Sequence, residues 1–226
     1  MPVFRLNKEL LFPPVELSEK NGLLALGGDL APERLILAYS QGIFPWFGED
    51  EPILWWSPDP RLVIFPPKVH VSRSLRQTLR RAIFQVTYDR SFRAVITACR
   101  ELRRREGTWI TGEMVEAYCR LHESGLAHSI EAWRDGELAG GLYGVSLGAC
   151  FFGESMFTRV DDASKVALVT LTRALQARDF QLLDCQVDSS HLQSLGAELV
   201  PREVFLKAMA TALKQPTRQG SWADWQ

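Results

Sequence analysis

Asp135-Gly136 lies between two β-prone runs, residues 128–134 and 138–147, and constrains this chain more than any other short feature. Aspartate-glycine between extended runs favours a two-residue hairpin, because both central positions take positive φ. A third run follows at 150–157, then a helix at about 163–178, a strand at 181–187 and a last helix at about 203–213. The first of these helices carries Val166-Ala167-Leu168-Val169, apolar on every side, and should be buried. Hairpin, strand, helix, strand, helix predicts an α+β domain: a mixed sheet with helices packed on it.

Upstream, Ser72 is a good N-cap, and Leu75, Leu79 and Ile83 recur every four residues. That periodicity puts Arg73, Arg76, Arg80 and Arg81 on the opposite face. Ser91 starts a second helix with Val95, Ile96, Cys99 and Leu102 inward, Arg93, Arg100, Arg103 and Arg104 outward, and Gly107 as its stop. A third is expected at about 112–124, with Met114, Val115, Tyr118 and Leu121 as its apolar stripe. The first 60 residues are rich in Gly, Pro and Trp, with a short helix at 33–41 after Pro32 and otherwise turns and short extended pieces. Residues 61–65 form a short β-prone run. The expected organisation is a smaller N-terminal domain at 1–62, a main domain at 63–215 and a loose tail at 216–226, with Trp222 and Trp225 in the tail.

A content of 46% apolar and 23% charged residues excludes the disordered and low-complexity classes. No stretch approaches the roughly 18 apolar residues of a membrane span, and no signal peptide is legible, so the expected location is the cytoplasm. The four cysteines, Cys99, Cys119, Cys150 and Cys185, are far apart without a Cys-x-x-Cys pair or a nearby histidine ladder, so no zinc site is expected. No cofactor is expected either. A net charge of −1 conceals an asymmetry: residues 61–105 hold 12 Lys+Arg against 2 Asp+Glu, while the remainder is strongly acidic. A local positive field of this kind suits a polyanion such as a nucleic acid, or else is a solvated arginine face.

The order of elements in the second half resembles the Gcn5-related N-acyltransferase fold. Acyl-CoA members of that fold grip pyrophosphate with a Gly-rich turn after the central strand. The corresponding Thr158-Arg159-Val160-Asp161-Asp162-Ala163-Ser164-Lys165 has two carboxylates and no glycine. Phosphate needs free N–H groups and no adjacent carboxylates. The fold is therefore expected without the acyl-CoA site.

Several blocks carry a closer resemblance: Gly42-Ile43-Phe44-Pro45-Trp46; Trp55-Trp56-Ser57-Pro58-Asp59-Pro60-Arg61; Glu106-Gly107-Thr108-Trp109-Ile110-Thr111; Ala127-His128-Ser129-Ile130-Glu131; Gly153-Glu154-Ser155-Met156-Phe157; Leu183-Asp184-Cys185-Gln186; and Ser194-Leu195-Gly196-Ala197 before Pro201-Arg202. In this order, over residues 12–213, they resemble the leucyl/phenylalanyl-tRNA–protein transferases. The resemblance implies an enzyme that moves leucine or phenylalanine, or methionine, from aminoacyl-tRNA to the free α-amine of a protein beginning with Arg or Lys, marking it as an N-degron. It also implies a site: Asp184 and Gln186 as the catalytic pair; Leu142, Phe151, Met156 and Leu171 around the donor side chain; Trp46 and Trp109 against the terminal adenosine; and Glu154 near the reaction. A monomer is expected.

The chemistry fits these residue types. On a regular strand Asp184 and Gln186 share a face and Cys185 points to the other. The Gln186 amide carbonyl can accept a hydrogen bond from an attacking amine. Asp184 could hold a cationic terminus, polarise that network, or simply cap a strand end. Glu154 could meet the donor amine or the acceptor's basic side chain, or pair with Arg159 or Lys165. A terminal adenine stacks well on indole. Arg73, Arg76, Arg80 and Arg81 could contact acceptor-stem phosphates, which carry little sequence information. The competing readings are an acyl-CoA N-acyltransferase, a non-catalytic RNA-binding module and a peptidoglycan-type aminoacyl ligase.

Overall fold

The computed structural model describes residues 3–103 and 109–225. The expected helix stop at Gly107, the Glu106-Gly107-Thr108 block and Arg104 lie outside the described residues, as does the side chain of Arg103. Two sheets organise the chain. The smaller contains β1 (Phe4–Leu6), β2 (Leu23–Gly27), β3 (Phe44–Pro45) and β4 (Leu54–Trp56) in the order β1-β2-β4-β3. Helix α1 (Pro32–Ser40) runs between β2 and β3, with Pro32 in its first turn where no amide donor is needed. Arg34 on α1 is fully buried and binds the carbonyls of Asn7 and Glu9 and the carboxylate of Asp29, which ties the N-terminal segment down.

The larger sheet contains β5 (Arg61–Ile64), β6 (Gln85–Tyr88), β7 (Ala127–Arg134), β8 (Glu137–Leu147), β9 (Cys150–Thr158), β10 (Leu182–Gln186) and β11 (Glu198–Val200), in the order β11-β5-β10-β9-β8-β7-β6. Asp135 and Gly136 turn the β7–β8 hairpin with φ of 53° and 82°, the positive pair that the dipeptide predicts. Within this sheet the β9–β10 pair is parallel and every other pair is antiparallel. The crossover between those parallel strands is α5 (Ala163–Gln176), buried on most of its faces. An α+β mixed sheet with flanking helices and a separate smaller N-terminal sheet is the architecture indicated by the sequence.

Helices cover both sheet faces. On one, α1, α3 (Phe92–Arg103), α4 (Gly112–Glu123) and α7 (Arg202–Ala212) share a core with Tyr143, Phe152 and Phe205. On the other, α5 and Leu75 of α2 (Arg73–Arg81) pack over Leu142, Phe151 and Leu183. Ser72 caps α2 as predicted, its side chain accepting from the Leu75 amide. The helix ends at Arg81, with Ala82 left-handed at φ 49°, so Ile83 is exposed rather than part of the apolar stripe. Leu102 is exposed too, three residues beyond the buried Cys99. Sequence patterning does not reveal β6, β11 or the four-residue α6 (Ser190–Gln193), which are all too short for periodicity to register.

The C-terminal segment is not loose. Trp222 is 1% exposed, and its ring stacks on His128 at 3.7 Å and on Trp225 at 3.7 Å. The Trp222 amide donates to Asp89, which also accepts from His128 Nδ1 and the Ser129 amide. The Gly220 amide binds the Gly125 carbonyl, and Thr217 accepts from the Gly148 amide. These partners are non-local, which is why a reading of the tail by itself misses them. Replacing Trp222 with Ala should destabilise the fold by about 3–5 kcal/mol in urea unfolding. A tail residue free in solvent would give no change.

Candidate active site

The site begins where β9 and β10 part. Their pairing runs from Leu182↔Cys150 to Asp184↔Phe152 and stops, although β9 continues to Thr158. The separating strands are two walls of a cavity of about 510 Å³. A bulge sits on each wall. On β9, Tyr143 opposes Ser155 and Gly144 opposes Gly153, which leaves Glu154 as the extra residue. On β10, Gln186 is left-handed at φ 65°, and the register against β5 shifts between Asp184 and Gln186. Bulges of this kind re-aim side chains. Gly144 permits the first, because a Cβ there would lie 2.2 Å from the Phe152 carbonyl oxygen and 2.6 Å from the Phe151 ring.

The second bulge corrects the expectation that Asp184 and Gln186 share a face. Cys185 and Gln186 both line the cavity, and Asp184 does not. Asp184 is fully buried on the other side, in a bidentate pair with Arg61: Nε to Oδ1 at 2.8 Å and Nη2 to Oδ2 at 2.7 Å. The Arg61 guanidinium lies 4.7 Å from the ring centres of both Phe44 and Phe205. Asp184 Oδ1 also accepts the Gln186 backbone amide at 2.9 Å. The aspartate thus holds the bulge that presents Gln186. Arg61, counted in the basic region from sequence, contributes nothing to a positive surface.

Glu154 is almost fully buried and is paired with neither Arg159 nor Lys165. Its Oε1 accepts from Tyr39 at 2.7 Å and from Gln186 Nε2 at 2.6 Å, and its Oε2 accepts from Tyr118 at 2.9 Å. The hydroxyls of Tyr39 and Tyr118 also touch each other. Two phenolic protons cannot serve three contacts. If Glu154 keeps its proton, the ring closes: acid to Tyr118, Tyr118 to Tyr39, Tyr39 to Oε1. Burial pushes the Glu154 carboxyl up to about 7, against the pull of the tyrosines and Gln186, with the nearby charge of Asp184 adding to the rise. Burial also raises both tyrosines well above their ordinary value, so they remain donors. Neither Tyr39 nor Tyr118 was marked as a site residue from the sequence, where Tyr118 reads only as part of an apolar stripe.

Leu142, Phe151, Met156 and Leu171 all line the cavity, with Leu168 and Leu183. Trp46 and Trp109 line it as well. Trp46 is 38% exposed and packs on Trp56 at 5.7 Å. Asp188 and His191, not anticipated from the sequence, stand among the lining residues beyond β10. Arg73, Arg76 and Arg80 line a second concavity with Gln77, separate from the first. These three arginines and Arg81 are exposed, and none has a carboxylate partner among the described residues. On α3 the arginines differ: Arg93 pairs with Glu116 and Arg100 with Glu49. At the N-terminus of α5, Asp162 is bound by Thr78 and Lys165, so a carboxylate occupies the place where a phosphate would be gripped.

The proton on Glu154 has a thermodynamic signature. Between the ordinary carboxyl value of 4.5 and about 7, the folded chain holds a proton that the unfolded chain has released. Stability from this group is therefore complete below the lower value and is lost as pH rises through the upper one. Glu154→Gln, which imitates the protonated acid, should remove that slope. Melting temperatures from pH 4.5 to 8 should show the variant gaining on the unaltered protein up to about pH 7, then a constant gap. Parallel profiles would mean that Glu154 ionises in the fold as it does in water.

Comparison with known proteins converges on one group. The sequence profile described as Leucyl/phenylalanyl-tRNA protein transferase matches residues 63–210, and that of the Leucyl/phenylalanyl-tRNA protein transferase N-terminal domain matches residues 28–59. The chain is 58% identical over 228 residues to the leucyl/phenylalanyl-tRNA–protein transferase of Myxococcus xanthus (strain DK1622), covering 99% of this chain and 97% of that protein. It is 57% identical over 225 residues to that of Syntrophus aciditrophicus (strain SB), covering 99% and 94%. Among solved structures, a GCN5-related N-acetyltransferase from Kribbella flavida aligns over 76% of this chain and 61% of its own, with a TM-score of 0.34 and 13% identity. That likeness is too low to bear on the fold, which rests on the strand order. At more than half identity over nearly full length, the chain belongs to the leucyl/phenylalanyl-tRNA–protein transferase family.

Proposed function

We propose that this chain carries its family's activity in the cytoplasm: it transfers leucine, phenylalanine or methionine from tRNA to the α-amine of a protein beginning with Arg or Lys, which creates an N-degron. The observation that carries the mechanism is the orientation of Gln186. Its Nε2 is engaged by Glu154, and its carbonyl oxygen has no hydrogen-bond partner among the described residues. That oxygen is a fixed acceptor for the incoming amine.

The acceptor α-amine has a pKa near 8, so roughly a tenth is neutral at pH 7. Gln186 Oε1 takes a hydrogen bond from it and turns its lone pair toward the aminoacyl ester carbonyl. The new C–N bond forms, the ester C–O bond breaks, and the terminal ribose of the tRNA leaves as an alcohol bearing the proton. The ester is already activated, so holding amine and carbonyl in register can supply as much as about 7–11 kcal/mol. Asp184 acts through the backbone of Gln186, and Glu154 through its side chain. The slot of Leu142, Phe151, Met156 and Leu171 takes an unbranched-at-Cβ apolar side chain. Trp46 and Trp109 offer indole faces for the terminal adenine. Arg73, Arg76, Arg80 and Arg81 meet phosphates of the acceptor stem. An acyl-CoA donor is disfavoured by Asp162 at the N-terminus of α5.

Labelled leucyl-tRNA supplied with two peptides, one with a free N-terminal Arg and one acetylated, should label only the first. Intact ester with no transfer to either, by folded protein, would overturn the proposal. Gln186→Ala should slow single-turnover transfer on the order of 10²-fold, in the range of other lost orienting groups, while tRNA affinity holds. An unchanged rate would remove Gln186 from the mechanism.

Arg76→Glu with Arg80→Glu should weaken tRNA binding and flatten its logarithmic salt dependence by about 0.7–0.9 per lost phosphate contact. An unaltered slope would place the tRNA elsewhere.

A further inference from the structure

An acceptor that begins with Arg or Lys brings a second positive charge beside its α-amine, and the reaction above gives that charge no partner. We propose that Asp188 is the residue that selects a cationic first side chain on the acceptor. This rests on the transferase reading and extends it to acceptor specificity.

Among the described residues two carboxylates line the cavity, Glu154 and Asp188. Glu154 cannot receive the cation. It is buried, both of its oxygens are engaged by Tyr39, Tyr118 and Gln186, and the three contacts among it and the tyrosines close only with its proton in place. Asp184, the other carboxylate nearby, is behind the wall and neutralised by Arg61. Asp188 differs from both. It is exposed just past the end of β10. Its Oδ1 accepts from Gln193 Nε2 at 2.7 Å, which orients the carboxylate without neutralising it, and its Oδ2 has no partner among the described residues.

Its position suits the task. One residue, Val187, separates Gln186 from Asp188, so their Cα atoms are at most about 7 Å apart, which is close to the reach of an arginine or lysine side chain from its own α-amine. An amine held at the Gln186 carbonyl therefore has its side-chain cation within range of Asp188. Val187 and Leu192, also in the lining, offer apolar surface to the aliphatic stem. The neighbouring His191 does not oppose the cation, because burial and Lys165 keep its pKa below the ordinary value and leave it neutral at pH 7. One carboxylate with one free oxygen reads charge rather than shape, which accounts for acceptance of both Lys and Arg.

The test compares two peptides that differ only in their first residue, Arg or its neutral isostere citrulline, with leucyl-tRNA as donor and the full chain as enzyme. The unaltered protein should favour the Arg peptide in kcat/KM. Asp188→Asn should lower that preference on the order of two- to fivefold, as expected for one exposed ion pair, while transfer to the citrulline peptide holds and so reports an intact fold. Rising salt should erode the preference of the unaltered protein and leave that of the variant flat. A preference unchanged in Asp188→Asn, or an equal loss with both peptides, would overturn the role of Asp188 and leave the transferase reading standing. No transfer to either peptide by the unaltered protein would remove both.

Discussion

The buried pair between Arg61 and Asp184 is the constraint on which the rest of this site depends. Taking both charges out of water costs several kcal/mol per ion, and only close geometry with further hydrogen bonds offsets that cost. Here the fork is bidentate, two aromatic rings flank the guanidinium, and the carboxylate also receives the Gln186 amide. The partners come from positions 123 residues apart, and the rings add β3 and α7. One interaction therefore joins the smaller sheet, the larger sheet and the last helix at the point where β10 bulges. Loss of either charge would leave the other stranded in an apolar interior, a far greater disturbance than loss of an exposed ion pair.

From that fixed point the chemistry follows by strand geometry. Two parallel strands that stayed paired would bury Glu154 and Gln186 in a continuous sheet. Because β9 and β10 separate after Phe152 and Asp184, the backbone groups beyond are free to bulge, and the bulges turn one side chain from each strand toward the other. The resulting hydrogen bond uses the donor end of the Gln186 amide and leaves the acceptor end facing the substrate space. A carboxyl group raised to about 7 behind an amide acceptor is only partly ionised at neutral pH, so less negative charge stands directly behind Gln186 than an ordinary glutamate would place there.

Much of this was legible in the sequence, for identifiable reasons. The Asp135-Gly136 hairpin, the Ser72 cap and the buried crossover helix are set by local chemistry and by periodicity within one element, and each was readable from a window of a dozen residues. The apolar lining at Leu142, Phe151, Met156 and Leu171 came through the family resemblance, since any one of them alone looks like ordinary core. What could not be read has a common cause. The bulge at Gln186 breaks the period-two rule that assigned Asp184 to the cavity. Tyr39 and Tyr118 meet Glu154 across separations of 115 and 36 residues. Arg61 looks like surface charge until its partner is known. In each case the decisive contact is tertiary and involves a polar group for which hydrophobic patterning carries no signal.

The stack of His128, Trp222 and Trp225 has a consequence for the life of the chain. Its indoles follow the residues that receive them far along the chain, Trp222 lying 133 residues after Asp89. The ribosome makes the receiving side first, so the core on the α5 side stays open until residues 222–225 have emerged. A chain interrupted before them has every catalytic side chain but a gap where the indole belongs. Such truncated products begin life with exposed apolar surface of the kind that quality-control proteases recognise.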